Sequence, residues 1–597
     1  MKNQSKMWIY AIVIIILLTI LGVLLKFALW NDTSSNNALT GSNSSTGNNT
    51  SSGNSTSTTN QEVVKTSTSL EQKKNRGEVS YSNYDAKIDL STLSSTGNGV
   101  SINGTTIKIT KAGTYYFTGT AENANIVVNA GDDDNVVLVF ENANITSKTT
   151  SVINGVKAKN IMINLKEGST NTFTDSSNYT EFTGDDEHNA TVFSKTDLIF
   201  NGTGTLIVNA NYKDGIKSKD DLVITNVTLK ITSVDDGLRG KDCVDIKDAN
   251  ITITSTGDGI KSTNDSNTEK GYIIIDGGNI NIQTKEDGIQ AETVLTISNA
   301  DMAIQTTGDT KDANVSSKGL KAEKEITINS GNINITSTDD SIHSNYYIII
   351  NGGTMTLSSG DDGIHADTNI IINGGTMNIT KSYEGIEAAY IEINDGDIKL
   401  VASDDGINAS DGSGSSGPGK MMQQSSNADV QLVVNGGTIY IDAQGDGLDS
   451  NGNITQTGGS IIVAGTTNGG DGAIDYDGTF YVSGGSLVAY GATSMWQNPS
   501  TSSSQYSICF SQTGKAGDTI ELKDSKGNTI ESIQTAKAYG AIVFSNSKLT
   551  KGETYTLYVN GSQASSQELT SIVTSNLSSQ GIMGGGGMMN GGGRQGK

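Results

Sequence analysis

Cysteine is nearly absent from this sequence: Cys243 and Cys509 are its only two in 597 residues. Two cysteines cannot build a disulfide framework. One falls inside a repeat and the other in a later segment, so both are expected as buried free thiols. Basic residues are scarce as well. Lys plus Arg number 40 against 64 Asp plus Glu, and the net charge is −24. That argues against nucleic acid as a partner, because phosphate binding needs clustered cations; it suits divalent cations. Apolar residues make up 34% and aromatics 6%. This is little for a globular domain and reasonable for a thin solenoid whose core is one residue deep. Proline numbers 2 against 71 glycines. No serine-hydrolase signature, zinc-ligand spacing or phosphate loop is visible.

What the sequence has instead is a repeat. Asp361-Asp362-Gly363-Ile364-His365-Ala366 recurs upstream as Asp339-Asp340-Ser341-Ile342-His343-Ser344. Downstream it recurs as Tyr383-Glu384-Gly385-Ile386-Glu387-Ala388 and Asp404-Asp405-Gly406-Ile407-Asn408-Ala409. The glycine-equivalent positions 341, 363, 385 and 406 step by 22, 22 and 21 residues. Further copies centre on Gly215, Gly237, Gly259, Gly288, Gly319, Gly447 and Gly472. Asn351-Gly352-Gly353, Asn373-Gly374-Gly375 and Asn394-Asp395-Gly396 keep the same step between β-branched runs. A fixed period of this size means a solenoid. One repeat reads as strand, Asn-Gly-Gly turn, strand, Asp-Asp-Gly turn, short strand. Three short strands per coil predict an all-β parallel β-helix. A leucine-rich repeat has a similar period, but its Leu and Asn signature is missing.

The organisation follows from composition. Lys2 and Lys6 precede an uncharged apolar run over residues 8–25, long enough for one membrane crossing. The basic flank places the N-terminus in the cytoplasm. Ala28-Leu29-Trp30 puts a bulky residue where a cleavage site needs a small one. Residues 1–30 are therefore expected to be a cytoplasmic stub and an uncleaved signal anchor, with the bulk of the chain outside the cell. Residues 31–78, rich in Ser, Thr and Asn, read as a disordered linker. The β-helix is placed at 79–494, a small C-terminal β unit at 505–562, and a flexible Gly/Met-rich tail at 576–597. Residues 495–504 look like a linker. Insertions at 264–271 and 411–428 leave one corner of the solenoid, and solenoid insertions often border a binding face.

Coils stack at strand spacing, about 4.8 Å. The acids before each glycine therefore form an inner ladder: Asp214, Asp236, Asp258, Asp287, Asp340, Asp362, Glu384, Asp405, Asp446 and Asp471. An outer ladder holds Asp235, Glu286, Asp339, Asp361 and Asp404. Carboxylates at that spacing repel by roughly 1 kcal/mol in water and several-fold more near protein. Asp also suits tight turns through its side-chain bond to the backbone, which accounts for one acid per turn but poorly for two. Oxygen-rich turns are what Ca²⁺ prefers. The expected metal ligands are Asp235, Asp236, Asp258, Asp287, Asp339, Asp340, Asp361, Asp362, Asp404 and Asp405. Two residues after each glycine, an outward column runs Lys217, Arg239, Lys261, Gln290, Lys321, His343, His365, Glu387, Asn408 and Asp449. Its cations Lys217, Arg239, Lys261 and Lys321 are the candidate carbohydrate contacts, with pairing to the Asp ladder as the alternative. His343 and His365 stack on neighbouring coils, where they could bind a metal, but they read better as solvated surface residues. Tyr272, Tyr346, Tyr347 and Tyr390 occupy matched places, to stack on sugar rings or to pack.

The Asp-Gly-Ile-x-Ala/Ser and Asn-Gly-Gly-Thr repeats resemble a family of bacterial extracellular carbohydrate-binding proteins. So do Ala536-Lys537-Ala538-Tyr539-Gly540-Ala541-Ile542-Val543-Phe544-Ser545, Leu549-Thr550-Lys551-Gly552-Glu553-Thr554-Tyr555 and the Gly/Met-rich end. The type member binds cellulose and polygalacturonate. The resemblance implies a right-handed parallel β-helix similar to family nine polysaccharide lyases, bound Ca²⁺, and sugar binding without demonstrated catalysis. The function expected is thus a monomeric, membrane-anchored, non-catalytic binder of cellulose or an acidic, pectin-type polysaccharide. A Ca²⁺-dependent lyase with a base such as Lys217, Lys261 or Lys321 is one alternative. A structural cell-surface adhesin is the other.

Overall fold

The computed structural model describes residues 83–180, 188–309, 315–411 and 430–577. The chain divides into Met1–Ser69 and Leu70–Lys597, and every described residue belongs to the second unit. The membrane anchor, the linker, nearly all of the 411–428 insertion and residues 578–597 of the tail lie outside the described residues. Among the described residues there is no helix, and none long and apolar enough to cross a membrane.

Alternating β-branched residues make strands, and the pleat sends alternate side chains inward. Each coil contributes one strand to each of three parallel ladders, the arrangement of a parallel β-helix. Face I stacks Asp214–Ser218, Leu238–Gly240, Ile260–Ser262, Ile289–Ala291, Leu320–Ala322 and Ile342–Ser344, then the start of Ile364–Ile372 and Ile386–Ile393, then Ile407–Ala409 and Leu448–Ser450. Face II runs through Asp221–Thr225, Cys243–Lys247, Tyr272–Asp276 and onward to Phe480–Val482. Face III runs from Thr170–Thr174 through Thr228–Ser233 to Ser486–Gly491. The expected three strands per coil are all present.

In-register stacking puts like on like. The inward face I residues Ile216, Leu238, Ile260, Ile289, Leu320, Ile342, Ile364, Ile386, Ile407 and Leu448 are all fully buried. Each such side chain stabilises the fold by roughly 1.5–3 kcal/mol relative to exposure. The Asn-Gly-Gly corner stacks just as well. Asn351 donates to Asn329 Oδ1 at 2.9 Å, Asn373 to Asn351 at 2.9 Å, Asn394 to Asn373 at 3.0 Å and Asn435 to Asn394 at 2.9 Å. The last glycine of that turn has positive φ, +98° at Gly353 and +102° at Gly375, where an L side chain is strained.

The far end differs from expectation. Residues 495–504 are no linker: Ser500 N bonds Phe480 O at 2.8 Å and Ser504 N bonds Val482 O at 3.1 Å, continuing face II. Tyr539–Asn546 then pairs antiparallel with Ser486–Gly491 of the last coil and with Ser507–Gly514. A separate antiparallel sheet of Thr529–Gln534, Thr519–Lys523, Thr554–Val559 and Ser562–Glu568 completes the unit. Tyr490, Ile508, Phe510, Ile542, Phe544 and Leu557 share one buried cluster. The C-terminal unit is thus a cap on the open coil, as solenoid ends require, and it extends to Val573–Ser575. Cys243 and Cys509 are both buried and are not joined in a disulfide, as expected.

The Asp-Gly corner needs glycine for space rather than for φ. A Cβ on Gly363 would lie 2.5 Å from the next coil's Gly385 O, whereas one on Gly374 would meet Asn351 O at an ordinary 3.4 Å. Gly363→Ala is therefore expected to lower stability by roughly 1–3 kcal/mol, the range for overpacking. Gly374→Ala should change it little. Urea melts of both variants check this; equal stability of the two would refute the steric reading.

Candidate functional site

The inner acid ladder runs along the corner that leads into face I, and it is buried. Asp214, Asp236, Asp258, Asp287 and Asp340 are each 2% exposed or less. A buried carboxylate has to be satisfied on both oxygens, and here the two oxygens do different work. One caps the backbone of the next coil: Asp258 N donates to Asp236 Oδ1 at 2.9 Å and Asp287 N to Asp258 Oδ1 at 2.8 Å. Lys318 N donates to Asp287 Oδ1 at 2.8 Å, Asp362 N to Asp340 Oδ1 at 3.0 Å and Glu384 N to Asp362 Oδ1 at 3.0 Å.

The other oxygen faces the column. Lys217 Nζ lies 3.2 Å from Asp214, Arg239 3.1 Å from Asp236, Lys261 2.5 Å from Asp258 and Lys321 3.6 Å from Asp287. His343 Nδ1 is 2.8 Å from Asp340 and His365 Nδ1 3.4 Å from Asp362. The column is a true stack: Lys217 registers on Arg239, Arg239 on Lys261, and Lys321 on His343, His365 and Glu387 in turn.

The four predicted sugar contacts are therefore together but not free. Lys217 is buried, and the side chains of Arg239, Lys261 and Lys321 are 29%, 23% and 18% exposed. Salt bridging, the alternative for this column, is what the structure has. Burial opposes the charge on Lys261, but Asp258 and Asp236 outweigh it and hold the ammonium above its ordinary range. The histidines are not solvated. Burial favours the neutral ring of His365, yet Asp362, Asp340 and Glu387 raise it to about 9, so it is the last cation of the column. Asp340 sits well below the carboxylate range: His343 and Lys318 overcome its burial.

The predicted metal ligands divide accordingly. Asp236, Asp258, Asp287, Asp340 and Asp362 face column cations, while Asp235 pairs with Lys213 at 3.3 Å and Asp339 with Lys318 at 2.9 Å. Oxygens of Asp214, Asp235 and Asp236 do converge within 4.8 Å, as do those of Asp339, Asp340 and Asp361. Asp361 lies at the edge of the surface, where partial burial of its carboxyl first and Asp362, Asp340 and Asp339 second push it up to about 6. Asp404 and Asp405 lie further on, where the column has lost its cations.

Beyond His365 the column reads Glu387, Asn408 and Asp449, in register. The inner ladder continues as Glu384, Asp405 and Asp446. Burial first, and neighbouring acids second, push Glu384 up to about 8 and Asp449 to about 8. Burial likewise pushes Asp446 up to about 7, while a bond from Gly472 N opposes the rise. Asn408 Nδ2 donates to Glu384 Oε2 at 2.8 Å, but its buried Oδ1 has no hydrogen-bond partner among the described residues. Reasoning from sequence placed these residues on the ladder and column and, Asp405 apart, did not single them out. The signal was the change of sign along the column.

A second feature lies at the corner between faces I and II. A groove of about 450 Å³ crosses successive coils there, lined by Glu292, Glu323, Lys324, Asn345, Tyr346 and Asp367 among others. Of the four tyrosines singled out, Tyr346 is 51% and Tyr347 37% exposed. Tyr272 and Tyr390 are half-buried.

Comparison with known proteins adds a family. The model of the carbohydrate-binding domain-containing protein family matches residues 103–363 and 361–406. A carbohydrate-binding domain-containing protein of Acetivibrio thermocellus is 38% identical over 136 residues, 22% of this chain and 48% of that protein. The chain thus spans about half the length of the curated relative it matches. A solved structure, the gadolinium derivative of a polysaccharide lyase-like protein from C. thermocellum, is 36% identical. It covers 41% of this chain and 96% of its own, with a TM-score of 0.38. With the family model spanning slightly more than half of its residues, the chain belongs to the carbohydrate-binding domain-containing protein family.

Proposed function

We propose that the protein is a non-catalytic polysaccharide-binding protein of the cell surface, a monomer held at the membrane by its N-terminal segment with the solenoid outside. The ligand class is cellulose or an acidic, pectin-type polysaccharide. Family membership supports carbohydrate as the ligand. The observation that carries binding over lyase chemistry is the pairing of every column cation with a ladder acid. A lysine base has to be neutral near working pH. Lys217 and Lys261 sit against buried carboxylates, and Lys261 is shifted the wrong way.

The test is retention on insoluble cellulose and on immobilised polygalacturonate, with ultraviolet absorbance followed in parallel. Retention on either without rising absorbance is the expected outcome. Rising absorbance marks unsaturated product and a lyase; no retention on either favours the adhesin.

Calcium is proposed too, at a different place from most of the expected ligands. In the early coils each inner-ladder acid faces a column cation, although burial still pushes Asp214 up to about 6 and Asp258 to about 7. In the late coils no column cation faces the ladder, and Glu384, Asp405, Asp446, Asp449 and Asn408 Oδ1, which has no hydrogen-bond partner among the described residues, are oxygen donors of the kind a hard cation takes. Bound there, Ca²⁺ would offset the repulsion and satisfy the amide carbonyl.

A pH dependence follows. Glu384 and Asp449 have raised folded-state values, so between their ordinary range near pH 4 and about pH 8 the folded state holds more protons than the unfolded one. Stability carried by these two groups is present at low pH and lost as pH rises through that window. In chelator, the melting temperature should fall between about pH 5 and about pH 8, and Ca²⁺ should reverse the fall by mass action. Glu384→Gln with Asp449→Asn should raise the melting temperature in chelator at about pH 8 and abolish the response to Ca²⁺. An unchanged Ca²⁺ response in that variant would remove the site from these coils.

A further inference from the structure

The groove at the corner of faces I and II has a floor of backbone ladder. Lys324 N bonds Thr293 O at 3.0 Å, Tyr347 N bonds Lys324 O at 3.0 Å and Asn369 N bonds Tyr346 O at 3.0 Å. Such a floor is fixed before any ligand arrives, which lowers the ordering cost of binding. At one end the groove is bounded by the 264–271 insertion through Asp265. That insertion is itself tied down: Gly271 N bonds Asp242 O, and Thr293 N bonds Gly271 O at 2.9 Å.

The lining has a definite chemistry. Tyr346 presents half of its surface to solvent, and its ring lies 6.4 Å from that of Tyr347 at an interplanar angle of 30°. An exposed aromatic face accepts the C–H face of a sugar ring, because its quadrupole favours the slightly positive hydrogens. Around it stand hydroxyl partners rather than cations. Glu292, Glu323 and Asp367 accept hydrogen bonds, and Asn345 both donates and accepts. Asn345 Nδ2 already holds Glu323 at 2.5 Å and its Oδ1 meets His343 Nε2 at 3.0 Å, so both side chains are oriented. Lys324 is the one cation among these groups. On a chain of net charge −24, this groove repels a polyanion.

Spacing adds an independent argument. Coils follow one another at about 4.8 Å, of the order of the advance of one sugar along an extended polysaccharide chain. Corner residues of successive coils, Glu292, Glu323, Asn345 and Asp367, therefore repeat at the pitch of the polymer. The volume, about 450 Å³, falls in the range of ligand clefts.

We infer that the groove at the corner of faces I and II is a binding site for an uncharged, extended β-linked glycan, with Tyr346 as the stacking platform and Glu292, Glu323, Asn345 and Asp367 as hydroxyl partners. The inference rests on the polysaccharide-binding reading above and narrows it to a neutral ligand at a site beside the column, where Asn345 meets His343 and Asp367 lies 3.8 Å from His365, but not on its Lys and Arg positions.

The experiment is calorimetric titration of the full-length protein with cellohexaose, xylohexaose, mannohexaose and hexagalacturonate. The variants are Tyr346→Ala, Tyr346→Phe and Glu323→Gln. The wild type should bind at least one neutral oligomer. Tyr346→Ala should weaken that binding at least tenfold, Glu323→Gln should weaken it severalfold, and Tyr346→Phe, which keeps the ring, should stay near wild type. All three should melt with the wild type, because both side chains lie at the surface. Binding that survives Tyr346→Ala and Glu323→Gln unchanged overturns the groove and leaves the polysaccharide-binding reading standing. Preference for hexagalacturonate overturns the neutral class. A wild type that binds none of the four and is not retained on cellulose or polygalacturonate removes the polysaccharide-binding reading, and the groove with it.

Discussion

A chain that repeats itself every 22 residues stacks each side chain on its own kind, and everything in this solenoid follows from which kinds tolerate that. Isoleucine does: stacked Ile exclude water and gain dispersion contacts at no electrostatic cost. Asparagine does better, because an amide is donor and acceptor at once, so each Asn completes the bond of the one below. Aspartate does not. Like charges at strand spacing repel, and burial magnifies the repulsion. Yet the turn needs the Asp, since its Oδ1 holds the backbone N–H of the next coil, as Asp340 holds Asp362.

The column two residues after each glycine answers that conflict. Lys217, Arg239, Lys261 and Lys321 are there because a buried acid ladder has to be met by cations along its length. Their recurrence looks like a binding stripe in the sequence and is a charge balance in the structure. Where the column changes to Glu387, Asn408 and Asp449 it supplies no cation, and burial first, neighbouring acids second, push Glu384 up to about 8. An isolated charge without a partner shifts its titration or recruits a counter-ion. The late coils are therefore where an outside cation is worth most, although they have fewer doubled acids than the coils before them.

Much of this architecture was legible in the sequence. The period gave the coil, the Asn-Gly-Gly and Asp-Asp-Gly turns gave its corners, and alternation gave the inward Ile. Even the register was legible: Lys217 on Arg239 and His343 on His365 follow from counting. What counting leaves out is depth. Nothing in the pattern says that Asp258 is 1% exposed or that Lys261 lies against it, because burial at a corner depends on how tightly the next coil closes over it. The cap was hidden for another reason. Tyr539–Asn546 reads as an ordinary strand, and only the pairing shows that its partner is Ser486–Gly491, a strand some fifty residues earlier. The stretch 495–504 lacks strand alternation yet bonds to face II through Ser500 and Ser504, hydrogen bonds that carry no apolar signature.

The same logic says where recognition can reside on such a scaffold. A position that repeats from coil to coil is held by its ladder: its donors and acceptors are spent on the copies above and below, as those of Asn351 and Asn373 are. A ligand offered such a residue would have to break the stack to reach it. Positions that vary between coils carry no such obligation. At the corner of faces I and II the residues run Glu292, Glu323, Asn345, Asp367, and Tyr346 has no aromatic counterpart directly above or below, where Lys324 and Thr368 stand. Asn345 bonds Glu323 and His343, but no ladder runs on through Glu292 and Asp367, whose side chains differ from coil to coil. In a repeat protein the regular residues build the rod, and the departures from the repeat are where a particular ligand can be told from others. The cation column, regular through its first coils and paired throughout them, belongs to the rod; the groove belongs to the departures.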